Sequence, residues 1–369
     1  MTAFSATDHR LMARALQLAA LGTYTTAPNP RVGCVIAHGE RVVGEGWHQR
    51  AGEPHAEVFA LRQAGAAARG ATAYVTLEPC AHFGRTPPCA DALVTAGVAR
   101  VVVAIEDSFA QVDGAGLRRL RQAGVTVDVG LMTDAAWELN RGFLTRTRLH
   151  RPWVRLKLAQ SLDGRTGLAN GESKWITGEA AREDVQHWRA RSSVILTGAG
   201  TARADNPRLT VRLAGTDVAP PLRAVVDSRL DALAPGCHLL DGSVPTVVFH
   251  RAGMTPAHPG YTAVECVVPD GPRPGVDLPA VLGALAARGA NEVQVEAGPV
   301  LCGALFAAGL VDEILLYVAP VFLGDAARPL LALPTLTDMT GRWHLRLVEQ
   351  RQVGDDMRLL LRPADRGVA

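Results

Sequence analysis

His55-Ala56-Glu57 and, further on, Glu78-Pro79-Cys80-Ala81-His82-Phe83-Gly84-Arg85-Thr86-Pro87-Pro88-Cys89 are the stretches whose reading decides the architecture of the first half of the chain. One imidazole (His55) and two thiolates (Cys80, Cys89) are three ligands of a tetrahedral zinc, and a fourth position left to water marks a catalytic site, as opposed to a closed structural one. Both thiols lie at or near expected helix starts, where unpaired N–H groups and the helix dipole favour the thiolate. Glu57, on the first helical turn after His55, is placed to shuttle a proton without being a ligand. Zinc lowers the pKa of a bound water to about 7, so such a site delivers hydroxide to an amidine-like ring carbon at neutral pH. Taken singly, each piece has a plainer reading. A lone His-x-Glu is ordinary helix surface, and two cysteines separated by eight residues are more often buried thiols. A structural zinc module would want a fourth protein ligand and has no use for Glu57. His82 is a rival ligand but is read as a substrate contact. Arg85 meets a substrate phosphate or is merely solvated. Asn29, between two prolines, hydrogen-bonds a pyrimidine or holds a turn, and Cys34 belongs to the core.

Around these motifs, residues 1–145 alternate helix and strand signals, as in a sheet covered by helices. Residues 8–21 repeat apolar side chains at helical spacing, and residues 32–37 and 41–47 read as a hairpin turning at His38 and Gly39. Residues 55–63 form a second helix behind Pro54. Residues 72–77, 100–105 and 125–129 are strands, and residues 90–96 and 116–123 are helices. Between residues 141 and 151 the apolar pattern weakens and arginines 141, 146, 148, 151 and 155 accumulate around Pro152, which predicts a domain junction. Strand-like runs then resume at 154–158, 194–196, 222–226, 246–249, 293–296 and 314–318. The proline- and glycine-rich residues 251–280 are expected to be surface connections.

The whole-chain numbers agree with two α/β domains. At about 150 residues per domain, 369 residues suggest two, and 48% apolar with 20% charged residues is a globular composition. A net charge of +2 gives no field that favours nucleic acid or an anionic membrane. No run approaches the ~20 apolar residues of a spanning helix, and residues 15–21 lack the flanks of a signal peptide. A cytoplasmic protein is expected. Six cysteines in a chain of this length do not form a disulfide framework.

In the second half, neither Gly-x-Gly-x-x-Gly nor a phosphate loop is present, so a Rossmann domain is not supported. Val293-Gln294-Val295-Glu296-Ala297-Gly298-Pro299 instead runs from a strand through glycine into an apolar helix. Its N-terminal N–H groups suit a phosphate, although an ordinary strand-to-helix turn reads the same way.

His-x-Glu with Pro-Cys…Cys is the signature of zinc nucleobase deaminases, which place two residues between the cysteines. The longer 81–88 loop, with Pro28-Asn29-Pro30-Arg31-Val32-Gly33-Cys34-Val35-Ile36, Gly52-Glu53-Pro54-His55-Ala56-Glu57 and Thr76-Leu77-Glu78-Pro79-Cys80, resembles the deaminase half of the bifunctional riboflavin-biosynthesis family. Lys157-Leu158-Ala159-Gln160-Ser161-Leu162-Asp163-Gly164, Ser173-Lys174-Trp175-Ile176-Thr177, Leu196-Thr197-Gly198-Ala199-Gly200-Thr201, Ala204-Asp205-Asn206-Pro207-Arg208-Leu209-Thr210-Val211-Arg212, Val226-Asp227-Ser228 and the Glu296 turn resemble its reductase half.

The resemblance spans residues 5–362. It implies a cytidine-deaminase-like α/β/α sandwich over residues 1–147 and a dihydrofolate-reductase-like α/β domain over 148–369. It further implies zinc and NADPH as cofactors, and hydrolytic deamination of a small pyrimidine ribosyl phosphate followed by reduction of its ribosyl group. Cofactor contacts are expected at Ala159, Trp175, Thr201, Asp205, Ser228, Gly298, Pro299, Val300, Leu301, Cys302, Gly303 and Ala304. Substrate contacts are expected at Ser173, Arg189, Leu209, Arg212 and Glu296, the two arginines offering forked donors to the sugar phosphate. A homo-oligomer, a dimer through the reductase domain or a tetramer, is implied as well. Locally, Trp175 also reads as core, Asp205 as a turn or cap, and Asp163-Gly164 as a hairpin turn. Lys157 and Asp163 are candidates for proton handling, against a strand lysine with its head in solvent. Asp107-Ser108-Phe109-Ala110 departs from the family's Asp-Pro-Asn-Pro. The competing reading in another enzyme class, a nucleic-acid base deaminase with an accessory domain, wants a basic groove that the charge balance does not supply.

Overall fold

The computed structural model describes residues 4–81, 88–107, 114–256, 260–266 and 275–364. The chain divides into two compact units, Met1–His150 and Arg151–Ala369. Among the described residues no helix is long and apolar enough to cross a membrane.

The first unit runs α1 (Ala6–Ala20), β1 (Gly33–His38), β2 (Arg41–Trp47), α2 (Ala56–Ala64), β3 (Thr72–Val75), α3 (Cys89–Thr95), β4 (Arg100–Val103), α4 (Ala115–Gln122), β5 (Thr126–Val129) and α5 (Thr133–Leu149). The sheet order is β2-β1-β3-β4-β5. β1 is antiparallel to β2 and β3, and β3, β4 and β5 are parallel. Leu11, Met12, Ala15 and Leu18 of α1, with Phe143 and Leu144 of α5, cover one face. Ala56, Ala60 and Ala64 of α2, with Leu93, Leu117 and Leu120, cover the other. Small residues at helical spacing on α2 meet alternate glycines on β2. A Cβ at Gly44 would fall 2.2 Å from Ala60 O, and one at Gly46 2.5 Å from Ala56 O. Helix and strand therefore touch backbone to backbone, which fixes the start of α2, where His55 sits.

Asp8 ties α1 to the sheet. It receives Ser5 N–H (2.8 Å), Tyr74 Oη (2.8 Å) and Arg100 Nη1 (2.7 Å) while buried. Burial alone would raise its carboxyl, but Arg100, the Ser5 N–H and Tyr74 outweigh that and hold it well below the usual carboxylate range. A depressed folded pKa gives stability that is complete above the unfolded value of about 3.9 and is lost as pH falls through the folded one. Asp8→Asn is therefore expected to cost roughly 2 kcal/mol at neutral pH and to flatten the acid dependence below about pH 4, read from urea midpoints of this unit. Equal midpoints for the two proteins at neutral pH would refute the assignment.

The second unit runs β6 (Trp153–Ser161), α6 (Glu179–Ala190), β7 (Val194–Gly198), α7 (Ala199–Asp205), β8 (Leu222–Val226), β9 (Thr246–His250), β10 (Thr262–Glu265), α8 (Leu278–Ala287), β11 (Glu292–Val295), α9 (Pro299–Ala307), β12 (Glu313–Ala319), β13 (Leu345–Val353) and β14 (Asp356–Pro363). The sheet order is β10-β9-β8-β7-β11-β6-β12-β14-β13. It is parallel from β10 to β12, with an antiparallel β14–β13 hairpin at one edge. Strand alternation splits β6. Val154, Leu156 and Leu158 enter an apolar core with Val293, Val295, Leu305 and α8. Arg155 points the other way, where it meets Glu313 (2.7 Å) and Glu292 (2.6 Å) with the Trp188 ring 4.6 Å from its guanidinium.

The structure adds detail that the sequence pattern did not give. The two units part at His150/Arg151, within the 141–151 stretch expected as a junction, while residues 141–149 are the end of α5, whose buried face includes Asn140 and Arg141. Polar residues there weaken the apolar pattern that periodicity reads. Residues 251–280 are not only surface connection, since they contain β10 and buried Cys266 and run into α8. The β13–β14 hairpin carried no sequence signal that was used.

Candidate functional site

In the first unit, β2 leads through Pro54 to His55, which is the N-cap of α2 in extended backbone. Glu57 is the second residue of that helix. Cys89 opens α3, and Cys80 lies on the turn that leaves β3. The sequence thus delivers His55 and Cys89 at the starts of two neighbouring helices on one face of the sheet. His55 Nδ1 lies 3.6 Å from Cys80 Sγ and 3.3 Å from Cys89 Sγ. All three ligating atoms fall within 4.8 Å of one another. Zn–N of about 2.05 Å and Zn–S of about 2.3 Å at tetrahedral angles require an N···S edge of about 3.6 Å, so the donor set fits zinc.

The protons agree with that chemistry. A hydrogen bond from Cys89 pulls the Cys80 thiol down to about 4, against burial and with help from His55, while Cys89 is pushed up by the same shared proton and by burial. A cation takes that proton's place. Glu57 is 3% exposed, burial pushes its carboxyl up, and its Oε2 has no hydrogen-bond partner among the described residues. A buried carboxylate oxygen left unpaired beside a ligand set is what a proton-shuttling role requires. No fourth protein ligand joins the cluster among the described residues, which disfavours a closed structural module. Cys34 is fully buried in the core, as expected.

Two further groups escaped sequence reasoning. His48, buried at the end of β2, donates from Nδ1 to Pro54 O (3.1 Å) and accepts at Nε2 from Asn29 Nδ2 (3.1 Å), a tautomer assigned from those partners. Its ring stands edge-on to His55 at 5.6 Å. Asn29 is therefore tied to the metal-side histidines as well as holding a turn. Glu78 accepts N–H groups from Asp107, Gly114, Gly116 and Leu117. It locks the Cys80 turn to the start of α4, and a Cβ at Gly116 would strike Pro79 O at 1.9 Å. The only available signals were a polar residue ending a strand and a carboxylate inside an apolar run. His82 and Arg85 lie outside the described residues, as do Ser108, Phe109 and Ala110.

In the second unit, β7 and β11 are neighbours whose onward connections diverge, α7 leading to β8 on one side and α9 to β12 on the other. Ligands of open parallel sheets bind at the carboxyl ends of strands at such a switch point. Gly298 caps α9 and Pro299 has no N–H, so the N–H groups of Val300 and Leu301 lack intrahelical acceptors. Thr201 Oγ1 lies 3.9 Å from where a Gly298 Cβ would sit. Ser228 follows β8, and Ala159 lies on β6 beside Tyr317 of β12. The 298–304 segment is not uniform. Cys302 is buried in the core, and a Cβ at Gly303 would fall 2.3 Å from Ala332 O, so both are packing positions, whereas Val300 and Ala304 face outward. Trp175 is 70% exposed and flanked by Arg182 at 4.8 Å, which removes its reading as core. Nearby, Asp205 ends α7 and pairs with Lys174 at 3.5 Å, next to Ser173.

Glu296, just beyond β11, takes the Arg189 fork at 2.7 Å on each oxygen, and Gln294 adds a third donor at 2.8 Å. Arg189 also donates to Thr210 O at 3.0 Å. Of the two arginines expected to meet a sugar phosphate, Arg189 gives its fork to Glu296 in this structure. Arg212 is the exposed guanidinium beside it, with no hydrogen-bond partner among the described residues. Leu209 turns its side chain into the core, so only its backbone is left for the contact expected of it. Its side chain is 2% exposed among Ile195, Ala202 and Val225, and its φ is +47°.

Lys157 is half-buried with Nζ 5.7 Å from the Tyr317 ring centre, and burial lowers its amine against the opposing charge of Glu296. Its head is not free in solvent. Asp163 is a different case. Ser161 Oγ and the Leu323 and Gly324 N–H groups hold it down to about 2, and through them it clamps the turn.

Comparison with known proteins follows the same division. Residues 5–105 match the family model described as "Cytidine and deoxycytidylate deaminase zinc-binding region", and residues 152–359 match "RibD C-terminal domain". Riboflavin biosynthesis protein RibD of Escherichia coli is 48% identical over 365 residues, covering 96% of this chain and 99% of the relative. That of Haemophilus influenzae is 45% identical over 377 residues, covering 98% and 99%. Among solved structures, Acinetobacter baumannii RibD superposes with a TM-score of 0.89 at 44% identity, covering 97% of this chain and 99% of that one. A deaminase/reductase from Thermotoga maritima gives 0.85 at 29% identity, with coverage of 97% and 99%.

Proposed function

The chain belongs to the RibD family of bifunctional riboflavin-biosynthesis enzymes, a zinc-dependent deaminase joined to an NADPH-dependent reductase, and from that premise we propose how its residues divide the work. The first reaction hydrolyses the 2-amino group of 2,5-diamino-6-ribosylamino-4(3H)-pyrimidinone 5′-phosphate: water oxygen adds at C2, ammonia leaves and a carbonyl remains. The second transfers hydride to the ribosyl group of 5-amino-6-(5-phosphoribosylamino)uracil and leaves a ribityl chain.

His55, Cys80 and Cys89 would hold the zinc, which when bound would make water a nucleophile at neutral pH. Glu57 takes a proton from the attacking water on Oε2 and returns it to the departing amine. Asn29, steered by His48, is assigned to the pyrimidine edge, with His82 and Arg85 as further substrate contacts. In the second unit NADPH supplies hydride. Its phosphates are assigned to Thr201 and the first turn of α9 from Gly298 to Leu301, with Ala159, Trp175, Asp205 and Ser228 around them. Arg212 and Ser173 take the substrate phosphate, and Glu296, braced by Arg189, receives donors of the pyrimidine. Lys157 faces the ribose from β6.

Because α5 continues through Leu149, we set the boundary at His150–Arg151, not at 147–148. A second copy is assigned to the reductase edge, where β13 exposes Leu345, Leu347 and Val348. A cytoplasmic setting suits six free thiols.

The observation that carries this reading is the unpaired Oε2 of buried Glu57 beside a His/Cys/Cys cluster of zinc dimensions. The test feeds the diaminopyrimidine phosphate to the full chain and follows ammonia release and NADPH oxidation together. Both are expected, in that order. NADPH oxidation without ammonia would refute the deaminase assignments, and ammonia without NADPH oxidation those of the reductase.

A further inference from the structure

We propose that Gln294 is a positioning residue of the reductase, which aims the Glu296 carboxylate although its own carbonyl is left buried without a donor among the described residues. The inference rests on Glu296 being a substrate contact. β11 is a central strand with all four residues buried, and Val293 and Val295 enter the apolar core. Gln294 itself has no exposed surface and lies in register with Arg155 of β6 and Ile195 of β7. Arg155 turns its Nε, Nη1 and Nη2 to Glu313, Ser192 and Glu292, and no hydrogen bond joins it to the Gln294 carbonyl.

The amide can be read in one orientation only. Nε2 donates to Glu296 Oε1 at 2.8 Å, and a flip would set two acceptor oxygens face to face. Oε1 consequently points into the interior, where no donor among the described residues meets it. A buried carbonyl without a donor destabilises a core, and an apolar side chain of similar volume would not. What the amide contributes lies at its other end. The Arg189 fork, itself tied to Thr210 O, holds the carboxylate from the α6 side alone and leaves it free to shift relative to the sheet. Gln294, two residues back on the same strand, ties Oε1 to the sheet and stops that motion.

The test compares the wild-type full chain with Gln294→Met and Gln294→Leu. KM for 5-amino-6-(5-phosphoribosylamino)uracil is expected to rise about tenfold, as for loss of one hydrogen bond to a charged group. KM for NADPH and the rate of ammonia release are expected to stay unchanged. The melting temperature of the reductase unit is expected to stay within about 2 °C, because the lost bond to the Glu296 carboxylate and the removal of the unmet carbonyl offset each other. That separation is the signature, since a purely structural glutamine would lower melting temperature and activity together. An unchanged KM, or a parallel fall of both, would overturn the proposal. A wild-type chain that leaves NADPH unoxidised with this uracil would instead overturn the reading of Glu296 itself, and is seen before any variant is compared.

Discussion

Glu57→Gln is expected to cut ammonia release by about 10³-fold or more while zinc content stays at that of the wild type and NADPH oxidation on the uracil substrate is unaffected. Glutamine matches glutamate in volume and keeps an acceptor, so packing at the start of α2 is preserved. It cannot carry a proton. Glu57 lies outside the His55, Cys80 and Cys89 ligand cluster, so affinity for the metal has no direct dependence on it. Burial already opposes its charge, and neutralising it is not expected to destabilise the fold. Zinc by atomic emission and ammonia by a coupled assay decide the matter. Metal retained with deamination undiminished would remove Glu57 from the mechanism. By contrast, Cys80→Ser should lose metal and activity together, because it removes one of three donors.

The contrast between these residues shows which parts of the molecule a sequence exposes. His55, Cys80, Cys89 and Glu57 were legible because coordination and proton transfer restrict residue type, whatever the fold. Strands such as β4 and β6 were legible because apolar runs bounded by turns have few other uses. α5 was not, since Asn140 on its buried face is satisfied by Arg31, taking its N–H and giving to its carbonyl at 2.8 Å each. A polar side chain whose partner lies 109 positions away looks like surface to any periodicity. His48 and Glu78 were missed for the same reason, their partners being a carbonyl, an amide and backbone N–H groups set by tertiary structure. The pairing of Arg189 with Glu296 was not legible either. Its fork suits phosphate and carboxylate equally, and only the fold brings Glu296 to it across 107 positions.

Glu296→Gln tests that pairing. It is expected to lower kcat/KM for the uracil substrate by about 10²-fold and to destabilise the reductase unit by about 2–3 kcal/mol. Both effects have one cause: Arg189, with its side chain 12% exposed, keeps two acceptors where it had three, and half-buried Lys157 loses its counter-charge. The pH dependence separates a charge effect from a shape effect. Burial would raise the Glu296 carboxyl, but Arg189, then Lys157 and Gln294, bring it down to about 2. With a folded pKa below the unfolded value of about 4.3, its stabilisation is fully present above that value and is lost only as pH falls toward 2. Wild type and variant should therefore differ by the same factor from about pH 5 to about pH 9, because the wild-type carboxylate stays ionised throughout. Steady-state kinetics across that range, with urea midpoints at its two ends, make the comparison. A difference that shrinks on the acid side would mean that Glu296 is taking up a proton there, which its three donors are arranged to prevent.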